Sequence, residues 1–189
     1  MIRDDVVAFA RSLAGLSADP ARPAIRETYR ALVAPGESGA RANEIERMSG
    51  CALTCRGILR RFVQHPLLER PYRTGDAVAD LVAIARAAGA LRPPSVTPRE
   101  GDMLIVGGGA DGGGPEHAWT TLFAVESPYV DGGLLVTGLD GGQRAGGYQA
   151  IALRDHHLLD GRDVTTTGAR LVRWVLDVEV IIERFGRDP

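Results

Sequence analysis

Residues 89–106 read Gly-Ala-Leu-Arg-Pro-Pro-Ser-Val-Thr-Pro-Arg-Glu-Gly-Asp-Met-Leu-Ile-Val and divide the chain into two unlike halves. Before this stretch, apolar residues recur every three or four positions, as they do in amphipathic helices. After it, short runs of β-type residues alternate with glycine-rich turns. Helices first and strands second are typical of an α+β fold. We therefore expect the helices to pack on one face of a mostly antiparallel sheet of five or six strands.

The residue pattern within each half predicts its elements. Helices are expected over residues 6–16, 24–33, 49–64 and 76–89, and strands over 102–106, 117–126, 133–140, 148–153 and 171–182. The polar stretch at residues 34–43 is expected to be an exposed loop. Because no linker separates the halves, residues 1–92 and 100–184 are interpreted as the helical and sheet parts of a single domain covering residues 1–189.

Composition excludes several classes of function. The 189 residues include 22 basic and 24 acidic ones, a net charge of −2, so no surface for nucleic acid or an anionic membrane is indicated. Every basic residue is arginine, which excludes Schiff-base chemistry on lysine and a P-loop. The first residues carry charges at positions 3–5 without a long apolar run, so no Sec signal is predicted. We expect cytoplasmic synthesis, with any export by a non-Sec route.

Residues 49–59, Ser-Gly-Cys-Ala-Leu-Thr-Cys-Arg-Gly-Ile-Leu, contain both cysteines of the chain. Cys51 is expected at the start of its helix, where unpaired amide groups lower the pKa of a thiol and favour the reactive thiolate. Cys55 follows four residues later, in the body of the helix, and is expected to face the core. Cys51 is therefore the preferred nucleophile and Cys55 the alternative.

Two residues of the sheet half complete a possible catalytic set. His117 begins a strand after a glycine-rich stretch, residues 107–114, that we interpret as a flexible flap. Asp140 ends the next apolar run and is predicted to accept a hydrogen bond from the His117 ring, with Gln143 as the competing orienting residue. A cysteine, a histidine and an aspartate in this chain order are typical of papain-like hydrolases.

The other histidines give weaker signals. His65 belongs to a helix-terminating His-Pro pair, and the two rings of the doublet His156-His157 must point to opposite faces of a strand. Cys51, Cys55 and the doublet together lack the Cys-x-x-Cys spacing of a zinc site. Neither a metal nor a cofactor is expected.

Three segments resemble the NlpC-type cysteine peptidases and the related CHAP amidases. Residues 97–106, Thr-Pro-Arg-Glu-Gly-Asp-Met-Leu-Ile-Val, resemble the Pro-Gly-Asp-Leu-Val segment that begins a strand in those families. The run His117-Ala-Trp-Thr-Thr-Leu is similar to their histidine strand, and residues 51–59 are similar to their nucleophile helix. The resemblance covers about residues 45–155, departs from many members at Gly50, and would align Cys55 with the nucleophile if shifted by four residues.

The resemblance implies a papain-like core and hydrolysis of an amide bond through a thioester, commonly in peptidoglycan peptides. Cys51 would attack, His117 would carry the proton and Asp140 would hold its ring, with Tyr29 or Asn43 as a further oxyanion donor. The partner would be a peptide or peptidoglycan-fragment substrate. Two alternatives stay open: an inactive papain-like module that binds a peptide or an unidentified protein, and acyl transfer to an amine or alcohol.

Overall fold

A computed structural model describes residues 2–48, 50–71, 76–107, 116–126, 132–165 and 169–187, without the side chains at 76 and 143–145. The helices in these ranges are α1 (Ile2–Ser12), α2 (Pro23–Val33), α3 (Gly39–Arg47), α4 (Cys51–Phe62), α5 (Pro66–Glu69), α6 (Asp76–Ala88) and α7 (Val178–Phe185). The strands are β1 (Leu91–Arg92), β2 (Met103–Gly107), β3 (His117–Glu126), β4 (Leu134–Ala145), β5 (Tyr148–Leu159), β6 (Arg162–Asp163) and β7 (Arg170–Leu176). None of the helices in these ranges combines the length and the apolar content needed to span a membrane.

The strands form one antiparallel sheet in the order β1-β7-β2-β3-β4-β5-β6. Because β6 also pairs with β7, strands β2 to β7 close into a six-stranded barrel, and β1 lies outside it against β7. The prediction of an α+β fold with a mostly antiparallel sheet is confirmed. The described strands exceed the expected five or six because β1 and β6 have two residues each, too few for a periodic signal in the sequence.

Several predicted element boundaries are wrong: α1 ends at Ser12 instead of residue 16, β5 continues to Leu159, and two further differences have a clear physical cause. Residues 34–43, expected as a loop, include the start of α3, which is held to α2 by salt bridges from two arginines to Glu46. The last predicted strand, 171–182, ends at Leu176, and Asp177 caps helix α7 through its side chain. Tertiary ion pairs and a helix cap decide these two places, and they outweigh the local preferences of the segments.

Helix α4 packs against both layers of the molecule. It contacts β3 and β4 of the barrel on one side, and α2 and α6 on others. Its residues Ile58 and Leu59 are fully buried in the apolar core between the helices and the barrel. The expected packing of the cysteine helix against the strands that carry His117 and Asp140 is therefore confirmed.

A second apolar cluster fills the inside of the barrel. It is formed by inward-facing residues of four strands: Leu104, Val106, Trp119, Val136, Val172 and Val175. Further buried residues of the neighbouring strands are polar, namely Asp140 of β4, His156 of β5 and Asp163 of β6. The barrel therefore changes from an apolar to a polar lining, and the polar residues border the pocket described below.

A cluster of ion pairs joins α1 to the segments before β2 and after β7. Arg3 contacts Asp102 at 2.8 Å and Asp177 at 2.6 Å, and neither aspartate is exposed. Arg99 lies 2.5 Å from Asp177, and Arg92 also contacts it. Arginine remains protonated at any pH at which the protein is folded, so this cluster holds permanent charges.

Candidate active site

Cys51 and His117 meet beside the polar part of the barrel. Cys51 is the first residue of α4 and follows the N-cap residue Gly50, as predicted. His117 is the first residue of β3, the strand against which α4 packs. The Sγ atom of Cys51 lies 3.5 Å from Nδ1 of His117. The fold thus brings together two residues that are 66 positions apart in the sequence.

The start of α4 favours negative charge near the thiol. Gly50 supplies no side-chain cap, and the first amide groups of a helix have no carbonyl partner within it. These amides and the helix dipole attract anions. Only 8% of Cys51 is exposed, and the residue lines a pocket of about 210 Å³. The same amide groups are suitable donors to an oxyanion that forms next to Cys51.

Asp140 lines this pocket together with Cys51 and His117. Its carboxylate lies 3.6 Å from Nε2 of His156 and 4.0 Å from Nη1 of Arg154. The three residues chosen from the sequence therefore border one cavity. The hydrogen bond from the His117 ring to Asp140 stays a prediction.

Strand register puts Asp140 on the same face of the sheet as His117. Strands β3 and β4 pair with Thr120 opposite Leu139, so one more residue along each strand brings Trp119 opposite Asp140. Directly paired residues of antiparallel strands point to the same face, and His117 is two residues before Trp119 on that face. Diagonal neighbours of this kind are within reach of longer side chains.

Glycines bring β4 against the start of α4. A side-chain carbon at Gly141 would lie 2.5 Å from the carbonyl oxygen of Gly50 and would collide with the hydroxyl of Thr54. A side-chain carbon at Gly50 would lie 2.7 Å from the hydroxyl oxygen of Tyr29. Both positions therefore require glycine for the strand and the helix to approach this closely.

The segment that carries Asp140 is a bulge within a strand. The sequence suggested that the strand ends at Asp140, but β4 continues to Ala145 and shifts its register to β5 between Asp140 and Gln143. Such bulges redirect side chains locally and are frequent next to active sites. The side chain of Gln143, the competing orienting residue, lies outside the described residues.

Cys55 has very different surroundings from Cys51. It is fully buried, and its Sγ atom lies 3.6 Å from the hydroxyl of Thr120. Burial raises the pKa of the Cys55 thiol, so the thiol stays protonated at neutral pH. The expected core position of Cys55 is confirmed, and its environment favours Cys51 as the nucleophile.

His156 is a site residue that sequence reasoning did not select. Its ring stacks on Trp119, with 4.1 Å between ring centroids and 8° between planes. Its Nδ1 lies 2.9 Å from Oδ2 of Asp163, and its Nε2 faces Asp140. The expected alternation of the doublet did indicate that one of the two rings points inwards. Which of them does so depends on the strand register, which the sequence alone did not fix.

The surroundings of His156 favour its protonated form. Burial acts to lower the pKa of His156, but the interactions with Asp140 and Asp163 outweigh it and raise the pKa to about 9. Burial likewise acts to raise the pKa of Asp163, whereas the hydrogen bonds from His156 and Thr165 bring it below its usual value. At neutral pH the pocket therefore contains an imidazolium between two carboxylates.

Of the two proposed oxyanion donors, Tyr29 has the better position. It is fully buried, and its hydroxyl has no hydrogen-bond partner among the described residues. Burial raises the pKa of Tyr29, and the nearby charges of Glu46 and Cys51 raise it further, so the hydroxyl keeps its proton. The side-chain oxygen of Asn43 instead accepts hydrogen bonds from arginines of α2.

The remaining candidates lie elsewhere or outside the described residues. His65 accepts a hydrogen bond from the amide of Leu67 and packs against Phe185, so it caps α5. The predicted flap at 107–114 falls outside the described residues from position 108 onward. Within the described ranges, no three histidine, cysteine or acidic residues are arranged to hold a metal ion.

Comparison of the chain with protein-family models, with curated proteins and with solved structures gives no match. The class of protein is therefore defined by the fold and the site alone. The chain is an α+β protein with a closed antiparallel barrel and a cysteine–histidine pair where its central helix begins.

Proposed function

We propose that the protein is a papain-like cysteine hydrolase of a peptide or amide bond, with bacterial cell-wall peptides as the favoured substrates. The observation that carries this proposal is the 3.5 Å contact between Sγ of Cys51 and Nδ1 of His117 at the start of α4. An imidazole and a helix amino terminus are the two features that most often activate a cysteine. The resemblance to NlpC-type and CHAP enzymes supports the same assignment.

Acylation begins when the Cys51 thiol gives its proton to Nδ1 of His117. The thiolate attacks the carbonyl carbon of the substrate, and the C=O electron pair moves onto oxygen. The first amide groups of α4 and the hydroxyl of Tyr29 are the available donors for this oxyanion. When the tetrahedral intermediate collapses, the C–N bond breaks and His117 gives its proton to the leaving amine. A thioester on Cys51 remains.

Deacylation uses the same residues in reverse. Water gives a proton to His117 as its oxygen attacks the thioester carbon, and the C–S bond then breaks. The carboxylic acid leaves, and Cys51 regains its proton. Because Nδ1 of His117 faces the thiol, the opposite ring nitrogen is the one that a positioning group must hold. Asp140 is the proposed acceptor.

The charges of the pocket favour a substrate with a free carboxylate. Among the described residues that line it, Arg154, Arg170 and the protonated His156 are cationic, and Asp140 and Asp163 are carboxylates. Peptidoglycan stem peptides carry free carboxylates close to their amide bonds, which suits this excess of positive charge. The cell-wall substrate class rests on this match and on the sequence resemblance.

The pH dependence of iodoacetamide alkylation, read for each cysteine by peptide mass spectrometry, tests the proposal. Cys51 is expected to react quickly and to remain reactive below pH 7, because its thiolate pairs with the His117 imidazolium. Cys55 is the internal control and is expected to stay unlabelled while the protein is folded. His117→Ala is expected to remove the reactivity of Cys51 at low pH.

A screen of peptidoglycan fragments then tests the reaction itself. Release of a new amine and a new carboxylate supports hydrolysis, and capture of the acyl group by an added amine identifies acyl transfer instead. If Cys51 reacts no faster than a free thiol with a pKa of about 8.5, the hydrolase proposal is contradicted. The inactive binding module then becomes the better interpretation.

A further inference from the structure

His156 lines the pocket, yet no step of the proposed reaction uses it. It belongs to β5, lies opposite Val136 of β4, and is 6% exposed. Burial of a histidine is common when its ring packs among apolar groups. This ring instead has a carboxylate near each of its nitrogens, which requires a physical explanation.

The two contacts determine the protonation of the ring. Nδ1 lies 2.9 Å from Oδ2 of Asp163, and Nε2 lies 3.6 Å from Oδ1 of Asp140. A neutral imidazole has one N–H group, so one of its nitrogens would turn a lone pair towards a carboxylate. The imidazolium has an N–H on both sides: it hydrogen-bonds to Asp163 at 2.9 Å and makes an ion pair with Asp140 at 3.6 Å, beyond hydrogen-bond distance. The pKa of about 9 for His156 agrees with this geometry.

Neighbouring residues hold the His156 ring in its orientation. Asp163 is itself fixed by the amide and the hydroxyl of Thr165, which donate to Oδ1 and leave Oδ2 for His156. Trp119 covers one face of the ring in a stacked arrangement. A side-chain carbon at Gly138 would lie 2.8 Å from the Trp119 ring and 3.2 Å from the His156 ring, so glycine is needed for this stack.

Other charged groups of the described residues also lie near the cluster. Arg154 is 4.0 Å from Asp140, but its side chain is 48% exposed and therefore largely screened by solvent. The titratable and charged residues that line the same pocket are Cys51, His117, Asp140, Arg154, Asp163 and Arg170. Of the cationic groups among these and His156, only His156 is almost fully buried against Asp140.

We propose that His156, anchored by Asp163 and stacked on Trp119, is a positioning residue that fixes the carboxylate of Asp140 for its contact with the His117 ring. This role depends on the proposed function, because it makes His156 a support for Asp140 in the proposed catalytic set of Cys51, His117 and Asp140. His156 does not touch the substrate. It sets the direction of the group that orients the base.

Histidine-ring NMR of the full chain between pH 5.5 and 10 tests this role, together with the rate of Cys51 alkylation. In the wild-type protein, the His156 ring is expected to stay doubly protonated up to about pH 9. The His117 resonances should show a second step at the same pH, because they sense the loss of the His156 proton through Asp140. Asp140→Asn should remove that second step.

The variant His156→Gln is compared with His157→Gln, which changes the neighbouring histidine on the opposite face of the strand. In His156→Gln the alkaline step of His117 should vanish, and Cys51 alkylation at pH 7 should slow by about 10-fold or more, as is typical when a supporting residue is lost. His157→Gln should match the unchanged protein in both measurements.

Two results would overturn the positioning role: a His156 ring that loses its proton near 6.5, or equal His117 titration in the two histidine variants. If His156→Gln does not fold, Asp163→Asn replaces it and should move both alkaline steps to lower pH. A wild-type Cys51 with ordinary thiol reactivity would defeat the proposed function. The His117 titration would still decide whether His156 acts on the site.

Discussion

Among the described residues, two pairs of buried carboxylates are neutralised in different ways. Around Asp102 and Asp177 the partner is the guanidinium of Arg3, with further arginines on Asp177. Around Asp140 and Asp163 the partner is the imidazole ring of His156. The first cluster joins helices to strand ends, and the second borders the pocket that contains Cys51.

The two clusters differ in whether their cation can lose its proton. A guanidinium keeps its charge throughout the pH range in which proteins are folded, so the arginine cluster acts as a permanent fastening. An imidazolium can lose its charge, so the charge of the histidine cluster beside Cys51 and His117 can change with pH. The comparison suggests that permanent pairs hold this fold together and that the titratable pair serves the site.

The largest effect on stability is expected from Asp177→Asn. This change removes the fully buried carboxylate that pairs with Arg3, whose own side chain is 17% exposed, and removing one partner of a buried pair typically costs about 3 to 5 kcal/mol. Urea unfolding followed by circular dichroism measures the loss, and Cys51 alkylation in native buffer should be unchanged. The matched control is Glu179→Gln, whose partly exposed pair with Arg3 should contribute less than about 1 kcal/mol. If Asp177→Asn lowered Cys51 reactivity without lowering stability, the arginine cluster would act on the site and would not be a purely structural element.

A smaller effect is expected from pH. The pKa of His156 is raised from 6.5 to about 9 on folding, so its stabilising contribution is complete below pH 6.5 and is lost as the pH rises through 9. The free energy of unfolding should therefore fall over this window by roughly 3 kcal/mol, from a shift of about two and a half pKa units. Urea titrations at a series of pH values measure the slope.

Two variants sharpen the pH experiment. His156→Gln should flatten the dependence between pH 6.5 and 9, whereas His157→Gln should leave it as it is. The arginine cluster predicts no slope in this window, so a slope that survives in His156→Gln must come from another group. That outcome would show that His156 is not the group that makes its cluster respond to pH.

The smallest of the three effects is expected from Gly138→Ala. The added carbon would press on the stacked rings of Trp119 and His156, and overpacking of this kind costs about 1 to 3 kcal/mol. The pKa of His156, followed by NMR, should fall as the ring is displaced from its carboxylates. Thr137→Ala, at the neighbouring outward position, serves as the control; it loses an exposed hydrogen bond to Asp155 and should change the free energy of unfolding by about 1 kcal/mol or less. An unshifted His156 titration in Gly138→Ala would show that the stack does not hold the ring.

The positions of Cys51 and His117 could be predicted from the sequence because each depends on neighbouring residues. A small residue and a glycine before an apolar helical repeat mark where α4 begins, which placed Cys51 at its first residue. A β-type run after glycines marked the start of β3 at His117.

The features that were missed depend on side-chain contacts, a helix cap and strand pairing that the local residue pattern does not show. Helix α3 has a weak apolar face and is secured by Glu46 on the arginines of α2. In α7, a β-branched run favours a strand, but Val178 and Ile181 face the core at helical spacing after the Asp177 cap. His156 required the register of β4 and β5, which shifts at the bulge between Asp140 and Gln143.

The glycines at the junction of α4 and β4 limit how this chain can evolve. A side chain at Gly50 or Gly141 would collide with backbone or buried groups whether or not Cys51 is still a nucleophile. Related sequences are therefore expected to keep the glycines of Gly-Cys and Asp-Gly-Gly for longer than they keep His117. The pair of glycines should be a better marker of common ancestry than Cys51 and His117.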